Sequence, residues 1–289
     1  MRTILHLSDL HFGRVDKFIL KPLLAYVEAL KPHLVVISGD LTQRAKSAEF
    51  KEARAFLDAL PSPQIVVPGN HDVPLYNVLA RFAQPLTKYR RYISDDVEPF
   101  YADDEIAALG LNTARSLTFK DGRLGVAQIA RIESRMCAID ETITKLLVTH
   151  HPFDLPENSH HKVVVGRAEK AMESVARCGV DVILSGHLHM SHIGQAAKRF
   201  QAHGRSTLIV QAGTATSVRS RGEPNAFNVL RIDKRRLTVS QVAWNRSTCL
   251  FGTQATQIFE QSPDEGWKPV EQGREGSGAM RENPQAIQP

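Results

Sequence analysis

In the first third of the chain, short apolar runs typical of strands alternate with segments whose apolar residues have helical spacing. Short β-branched runs predict strands at 3–7, 33–38 and 64–67, and apolar residues three or four positions apart predict helices at 17–30 and 45–60. Strands that alternate with helices in this way indicate a parallel sheet. The chain therefore begins as a βαβαβ unit of an α/β protein.

The rest of the chain adds a second set of elements. Residues 74–93 are predicted to be helical with a break at Pro85. Further strands are predicted at 105–111, 116–127, 145–149, 182–184, 207–211, 226–232, 237–242 and 256–259, and further helices at 129–138 and 167–178. This order predicts two sheets packed face to face with helices outside each, as one domain of residues 1–260. Residues 261–289 are rich in Pro, Gly, Glu and Gln and predict a disordered tail.

Metal-ligating and proton-handling side chains follow five of the predicted strands. They are Asp9 and His11, then Asp40, then Asn70, His71 and Asp72, then His150 and His151, and finally His187 and His189. Ligands bind at the carboxyl ends of parallel strands, and residues i and i+2 of such a motif share one side. Mixed carboxylate, imidazole and amide ligands suit Mn, Fe, Zn, Co or Ni better than Ca or Mg alone. The sequence therefore predicts a metal site.

Composition narrows the alternatives. The net charge of +5 is spread along the chain, which favours an ordinary solvated surface over a nucleic-acid footprint. No run is long enough for a membrane span, and no signal peptide is evident, so a cytoplasmic protein without a membrane partner is expected. The three cysteines, Cys137, Cys178 and Cys249, are widely spaced and odd in number, which favours buried thiols over a disulfide framework.

Taken together, these motifs resemble those of a known family. Asp9-Leu10-His11, Gly39-Asp40, Gly69-Asn70-His71-Asp72, His150 and Gly186-His187-Leu188-His189 resemble the calcineurin-like metallophosphoesterases over about residues 2–245. The resemblance implies a four-layer α/β/β/α sandwich. It also implies that Asp9, His11 and His189 hold one metal, that Asn70, His150 and His187 hold the other, and that Asp40 bridges the two.

The resemblance also implies a reaction. Two cations about 3.5–4 Å apart clamp a phosphate and acidify water into a metal-bound hydroxide that attacks in line. In the family His71 contacts the phosphate and donates a proton to the leaving oxygen, with Asp72 orienting it. A purely structural hydrogen bond is the alternative role for His71.

Departures from the family pattern indicate the subgroup. Gln43 stands where purple acid phosphatases carry Tyr, and residues 39–45 lack the second Asp and last Gly of protein Ser/Thr phosphatases. Residues 39–42, Glu49-Phe50 and Thr149-His150-His151-Pro152 instead resemble the class III cyclic-nucleotide and glycerophosphodiester phosphodiesterases. The resemblance therefore implies a small-molecule phosphodiester as substrate.

Several roles stay open at this stage. Asn70 and His71 are candidates for substrate contact, His151 for either a substrate contact or a structural role, and Arg219 and Arg221 for either a phosphate contact or a solvent-exposed loop. A nuclease or phosphomonoesterase of the same family and a non-catalytic scaffold are the competing functions. The nuclease is expected to bring a capping domain or basic surface, which the sequence after 245 does not offer. A homo-oligomer is left open, with 74–93 as a contact surface.

Overall fold

The computed structural model describes residues 1–75, 78–117, 120–155, 164–196, 206–218, 222–262 and 266–270. Its strands are β1 (Arg2–Leu7), β2 (Leu34–Ile37), β3 (Gln64–Val66), β4 (Phe100–Ala102), β5 (Ile106–Gly110), β6 (Thr144–Val148), β7 (Val182–Ser185), β8 (His192–Gln195), β9 (Leu208–Gln211), β10 (Ala226–Asp233), β11 (Arg236–Asn245), β12 (Leu250–Ser262) and β13 (Gly266–Pro269). Its α-helices are α1 (Lys17–Leu30), α2 (Ser47–Asp58), α3 (Val78–Ala83), α4 (Thr87–Tyr92), α5 (Val126–Met136) and α6 (Ala168–Arg177).

The strands form two mixed sheets. The first has the order β13-β12-β11-β10-β1-β2-β3, in which β1, β2 and β3 are parallel and the remaining pairs are antiparallel. The second has the order β4-β5-β6-β7-β9-β8, in which β5, β6, β7 and β9 are parallel. The predicted βαβαβ start corresponds to β1 through β3.

Three apolar layers separate the sheets and helices. Alternate residues of the strands, such as Ile4 of β1 and Leu184 of β7, form a buried core between the two sheets. Ile19 of α1 packs on the other face of the first sheet, and Val175 of α6 packs on the other face of the second. These layers confirm the predicted α/β/β/α sandwich.

The helices follow the periodicity that predicted them. In α1, Ile19, Leu23 and Val27 are buried on one face, and the Asp16 carboxylate caps the helix by accepting a hydrogen bond from Phe18 N at 3.1 Å. Across the described ranges, every helix is either too short or too polar to cross a bilayer.

One predicted strand is wrong, and three strands were missed. Of region 116–127, the described residues before α5 form irregular backbone with one isolated β-bridge, between Arg123 and Gly166, and α5 begins at Val126. Gly122 packs so closely on the His151 ring that a Cβ there would lie 2.2 Å from Nδ1, so this segment packs on His151 instead of extending a sheet. The missed strands β4, β8 and β13 are no shorter than β3, but they lack a run of Val, Ile and Leu.

The predicted tail begins too early. Strand β12 continues to Ser262, and β13 pairs with it in antiparallel register. Trp267 of β13 is buried in the core between the sheets, which explains why the chain stays ordered past residue 260. The expectation for residues 271–289 lies outside the described residues.

The prediction of buried, unpaired thiols is also wrong. Cys137 and Cys178 form a disulfide, with their Cα atoms 4.3 Å apart, and Cys249 is exposed. The two bonded cysteines follow the last residues of α5 and α6, which lie side by side on the same sheet. Spacing in sequence could not reveal this pairing, because 41 residues separate the two cysteines.

Candidate metal centre

Five loops that follow parallel strands converge at one edge of the sandwich. The loops after β1, β2 and β3 come from the first sheet, and those after β6 and β7 come from the second. Groups of three ligand atoms from these loops lie within 4.8 Å of one another, including Asp9, Asp40 and His150. The predicted residues are therefore brought together from both sheets.

The backbone at this edge is strained. Ten non-glycine residues in the described part of the chain have positive φ, and five of them carry ligand-type side chains at this edge: Asp9 (53°), His11 (51°), Asp40 (53°), His187 (72°) and His189 (57°). A left-handed residue other than glycine costs about 1–2 kcal/mol. Strain of this kind persists where the surroundings impose it, typically at functional sites.

Two glycines allow the loops to approach. A Cβ on Gly186 would lie 1.8 Å from Ser8 Oγ, and a Cβ on Gly69 would lie 2.2 Å from Asp40 Oδ1. Any larger residue would push the loop after β7 away from Asp9, or the loop after β3 away from Asp40. The glycines in the two motifs thus set the width of the site.

Asp9, His11 and His189 form one group, here named the Asp9 cluster. Asp9 Oδ1 lies 3.5 Å from His11 Nε2 and 3.6 Å from His189 Nε2, and the two imidazole rings are stacked with centroids 5.1 Å apart. Asp9 Oδ2 accepts hydrogen bonds from Ser8 Oγ and His187 N. Asp9 Oδ1 and both His11 nitrogens are buried without a hydrogen-bond partner. Orphaned buried atoms of this type are expected where a cation binds.

Asn70, His150 and His187 form a second group, the Asn70 cluster. Asn70 Oδ1 lies 3.1 Å from both His150 Nε2 and His187 Nδ1. The other nitrogen of His150, Nδ1, lies 2.8 Å from Ser38 O, so it carries the proton and donates to that carbonyl. Once the ring gives up its second proton, Nε2 presents a lone pair to the site.

The Asp40 carboxylate lies between the two clusters. Its Oδ2 is 3.7 Å from His11 Nε2, and its Oδ1 is 3.4 Å from His150 Nε2. Oδ1 also accepts a hydrogen bond from His71 N at 2.8 Å. One oxygen therefore faces each cluster, the arrangement that a bridging carboxylate requires.

The electrostatics of the site favour ionised carboxylates. Burial raises the pKa of Asp40, but His150, His71 and His11 outweigh it and hold that pKa well below its usual range. Burial also raises the pKa of Asp9, but the nearby imidazoles, mainly that of His189, outweigh it, and the pKa of Asp9 is lowered. Asp40 in turn overcomes burial at His150 and raises its pKa to about 9. The carboxylates are thus in the form that binds cations, and imidazolium protons balance their charge until a metal displaces them.

His71 and Asp72 differ from the expectation in one respect. The His71 ring meets His11 edge-on with centroids 4.9 Å apart, and its Nδ1 lies 2.9 Å from Gln43 O. The Asp72 carboxylate accepts hydrogen bonds from Leu41 N, Thr42 and Gly69 N. The Gln43 carbonyl therefore orients the ring, and Asp72 instead joins the loops after β2 and β3.

His151 has a structural environment. It is buried, with Nδ1 2.7 Å from Thr113 Oγ1 and Nε2 3.0 Å from Lys120 O. Both nitrogens are used within the protein, so the open alternative of a substrate contact is not favoured. The other candidate substrate contacts, Arg219 and Arg221, lie outside the described residues.

Several supporting residues could not be singled out from the sequence. Ser8 Oγ donates to Asp9, Ser38 O accepts from His150, and Thr214 Oγ1 lies 2.6 Å from His189 Nδ1. Each contact fixes the orientation of a candidate ligand. The only available signal was position, because Ser8 and Ser38 each stand at the end of a strand that precedes a motif.

Three relatives with similar sequences carry phosphodiesterase names. A probable cyclic nucleotide phosphodiesterase of Synechococcus is 24% identical over 214 residues, covering 74% of this chain and 77% of the relative. The 3',5'-cyclic adenosine monophosphate phosphodiesterase CpdA of Escherichia coli K12 is 25% identical over 177 residues, covering 57% and 59%. The glycerophosphodiester phosphodiesterase GpdQ of Enterobacter lignolyticus is 27% identical over 161 residues, covering 55% and 56%. The chain thus spans a little over half of the last two relatives.

Two solved structures share the fold. A purple acid phosphatase from yellow lupin superposes with a TM-score of 0.68 at 13% identity, covering 89% of this chain and 53% of that protein. A dimetal phosphatase from Danio rerio superposes with a TM-score of 0.63 at 12% identity, covering 87% of this chain and 98% of that protein. At these identities the likeness concerns the fold alone.

A family model confirms the resemblance that the motifs indicated. The model described as calcineurin-like phosphoesterase matches residues 2–191, which is more than half of the chain and includes every residue of the two clusters and Asp40. A phosphoester hydrolase is the enzyme class that this match and the named relatives support. The chain belongs to the calcineurin-like phosphoesterase family.

Proposed function

We propose that this protein is a dinuclear metal-dependent phosphodiesterase that hydrolyses small or nucleotide-like phosphodiesters, such as cyclic nucleotides or glycerophosphodiesters. The observation that carries the proposal is the Asp40 carboxylate, with one oxygen 3.7 Å from His11 in the Asp9 cluster and the other 3.4 Å from His150 in the Asn70 cluster. The names of the three relatives support the preference for diesters.

The donor set fits two metal ions. The Asp9 cluster offers a carboxylate oxygen and two imidazole nitrogens, and the Asn70 cluster offers an amide oxygen and two imidazole nitrogens. Borderline ions such as Mn, Fe, Zn or Co accept such mixtures. When bound, two cations in this arrangement polarise the phosphoryl group and make water a better nucleophile.

The protein's own residues have separate tasks in this proposal. Asp40 neutralises part of the charge of both cations, because each of its oxygens faces a different cluster. His71 donates the proton to the leaving alkoxide from Nε2, since its Nδ1–H is committed to Gln43 O at 2.9 Å. Asn70 contributes its amide oxygen to the cation and its amide N–H to the substrate phosphate.

A non-catalytic scaffold is the competing function of a different class. Such a protein would not need to retain buried, unpartnered ligand atoms such as Asp9 Oδ1 and His11 Nε2. Leaving polar groups buried without partners costs about 1–3 kcal/mol each. A retained cost of this kind favours a site that binds a cation.

The test is hydrolysis by the full chain after reconstitution with Mn²⁺. Rates on bis(p-nitrophenyl) phosphate and on p-nitrophenyl phosphate are compared with those of Asp40→Asn and of the control Asp104→Asn, whose carboxylate is exposed and remote from the site. We expect the diester to be preferred, and this activity to be lost in Asp40→Asn and kept in Asp104→Asn.

Other outcomes separate the alternatives. A preference for the monoester would overturn the diester proposal and favour a phosphomonoesterase. Faster cleavage of oligonucleotides than of any small diester would favour a nuclease. No hydrolysis together with no bound Mn²⁺ would favour the scaffold.

A further inference from the structure

Two polar side chains interrupt the apolar layer between the sheets. His6 of β1 and Asn228 of β10 are direct cross-strand partners, and both are fully buried. Their neighbours two residues away on the same face, Ile4 and Leu230, belong to the inter-sheet core. His6 Nδ1 and Asn228 Oδ1 have no hydrogen-bond partner. An apolar pair at these positions would avoid the cost of burying unpaired polar atoms.

The other nitrogen of His6 has a defined contact. Nε2 lies 2.9 Å from the hydroxyl of Ser38, the residue that follows β2. The carbonyl of the same Ser38 accepts the Nδ1–H of His150 at 2.8 Å. One residue therefore connects His6 to a candidate ligand of the Asn70 cluster.

Ser38 also reaches the Asp9 cluster. Ser8 Oγ lies 3.3 Å from Ser38 O and 2.7 Å from Asp9 Oδ2. Asn228, the neighbour of His6, donates from Nδ2 to Gln211 O at 3.0 Å and so joins the first sheet to the second at the level of the site. The His6–Asn228 pair is thus fixed to both sheets.

We propose that His6 is a positioning residue for the metal centre, acting through Ser38 to hold the carbonyl that orients the His150 imidazole. This inference rests on the proposed function, because it needs His150 to be a metal ligand. His6 holds the Ser38 hydroxyl, which fixes the peptide at the end of β2. A fixed carbonyl keeps the His150 proton on Nδ1 and directs its Nε2 toward Asp40 and Asn70. Groups that hydrogen-bond a metal-ligating histidine typically change metal affinity by about 10–100-fold when removed, and His6 acts on such a group, the Ser38 carbonyl.

A neutral His6 is consistent with this role. Burial lowers the pKa of His6 to about 3, because it outweighs the opposing effect of the Asp9 charge. The ring therefore stays uncharged, so it does not compete with the imidazoles of the site for ion pairs with the carboxylates.

Two substitutions separate the positioning role from a structural one. The amide nitrogen of Gln reaches the place of histidine Nε2, whereas that of Asn reaches only the place of Nδ1. His6→Gln therefore keeps a donor near Ser38 Oγ, and His6→Asn does not, although both remove the ring. Mn²⁺ titration of the metal-free proteins, followed by the electron paramagnetic resonance of free Mn²⁺, measures affinity without measuring activity.

We expect His6→Gln to bind both Mn²⁺ equivalents within about threefold of the wild type, and His6→Asn to bind one equivalent about 10-fold more weakly or worse. The two variants should lose similar amounts of thermal stability. Equal Mn²⁺ affinities in the two variants would overturn the inference. Failure of the wild type to bind Mn²⁺ would instead overturn the proposed function.

Ser38→Ala provides an independent route if His6→Asn does not fold. Without the serine hydroxyl, His6 has nothing to hold, so Ser38→Ala should weaken the same equivalent about 10-fold. Wild-type Mn²⁺ affinity in Ser38→Ala would contradict the inference. Leu34→Ala, in the inter-sheet core at the start of β2, is the control, and it should lower the melting temperature while leaving Mn²⁺ affinity unchanged.

Discussion

Leu184 and His187 lie three residues apart at the end of β7, and they belong to two different regions of the molecule. Leu184 is fully buried among aliphatic side chains between the sheets. His187 follows the strand in a left-handed conformation, and burial and His150 lower its pKa to about 3. Strand β7 therefore lies in the apolar core between the sheets. The loop that follows it lies in the candidate metal centre, where the backbone is strained and polar atoms are crowded.

The two regions have separate roles, and each is encoded by a different part of the sequence. Apolar alternation in the strands supplies the stability of the sandwich, because its burial removes hydrocarbon from water. The strand-end motifs are held in place by that stability and contribute chemistry instead. Substitutions of apolar core residues should therefore change the free energy of unfolding and spare catalysis. Substitutions of site residues should change catalysis and largely spare the free energy of unfolding.

The largest expected effect is on catalysis. His71→Asn removes the proposed proton donor without removing a proposed metal ligand, so kcat for a diester with a poor leaving group should fall by about 10²–10⁴-fold. The loss should be smaller for p-nitrophenyl esters, which need little protonation. Steady-state rates and bound Mn²⁺ would be measured together, with His33→Asn, an exposed histidine before β2, as the control. An equal loss on both kinds of ester would refute the proton-donor role.

Leu184→Ala should affect stability alone. Removing a fully buried leucine leaves a cavity and costs about 2–5 kcal/mol of unfolding free energy, measured by denaturant titration. Leu250→Ala, where the side chain is exposed, should stay within about 0.5 kcal/mol of the wild type. A loss of kcat above tenfold in folded, metal-loaded Leu184→Ala would contradict the separation of the two regions.

Removing the disulfide, like removing core side chains, should lower the free energy of unfolding without changing activity. Replacing Cys137 and Cys178 together by Ser opens a loop closed over 41 residues and should cost about 2–4 kcal/mol of unfolding free energy. Activity should not change, because the cross-link joins α5 and α6 on the outer face of the second sheet. Cys249→Ser provides the matched control for replacing a thiol. Unchanged stability in the double variant would show that the bond does not form in solution.

The smallest expected effect concerns pH. His6 has a pKa near 3 when folded and about 6.5 when unfolded, so the unfolded chain binds more protons between these values. Its contribution is therefore present above pH 6.5 and is lost as the pH falls toward 3. Between pH 7 and pH 5 the metal-free wild type should lose about 2 kcal/mol more than His6→Gln does. A parallel pH dependence of the two unfolding free energies would exclude a buried neutral His6.

Much of the fold could be predicted because its elements are strongly periodic. The strands of the βαβαβ start and the strand before each motif are rich in Val, Ile and Leu, and the first two helices have clear apolar stripes. The strands that were missed lack such runs. In β13, for example, no residue is Val, Ile or Leu, and the burial of Trp267 depends on a sheet formed by distant segments.

The candidate site was predictable in its residues and less so in its contacts. The residue types and spacing of side chains such as Asp9 and His189 predict metal ligands. The partner that orients His71 is the backbone carbonyl of Gln43. Every residue has a backbone carbonyl, so the residue type at position 43 could not predict this contact. The role of His6 also escaped prediction, because a single histidine in an apolar strand looks the same whether it is structural or not.

The most direct test of the central claim is the metal content of the purified chain. After loading with Mn²⁺ and removal of the unbound ion, mass spectrometry of the metal should find two equivalents per wild-type chain and at most one in Asp40→Asn, because the bridging carboxylate is lost. Wild-type protein with no bound metal, or two equivalents held equally well without the Asp40 carboxylate, would contradict the account.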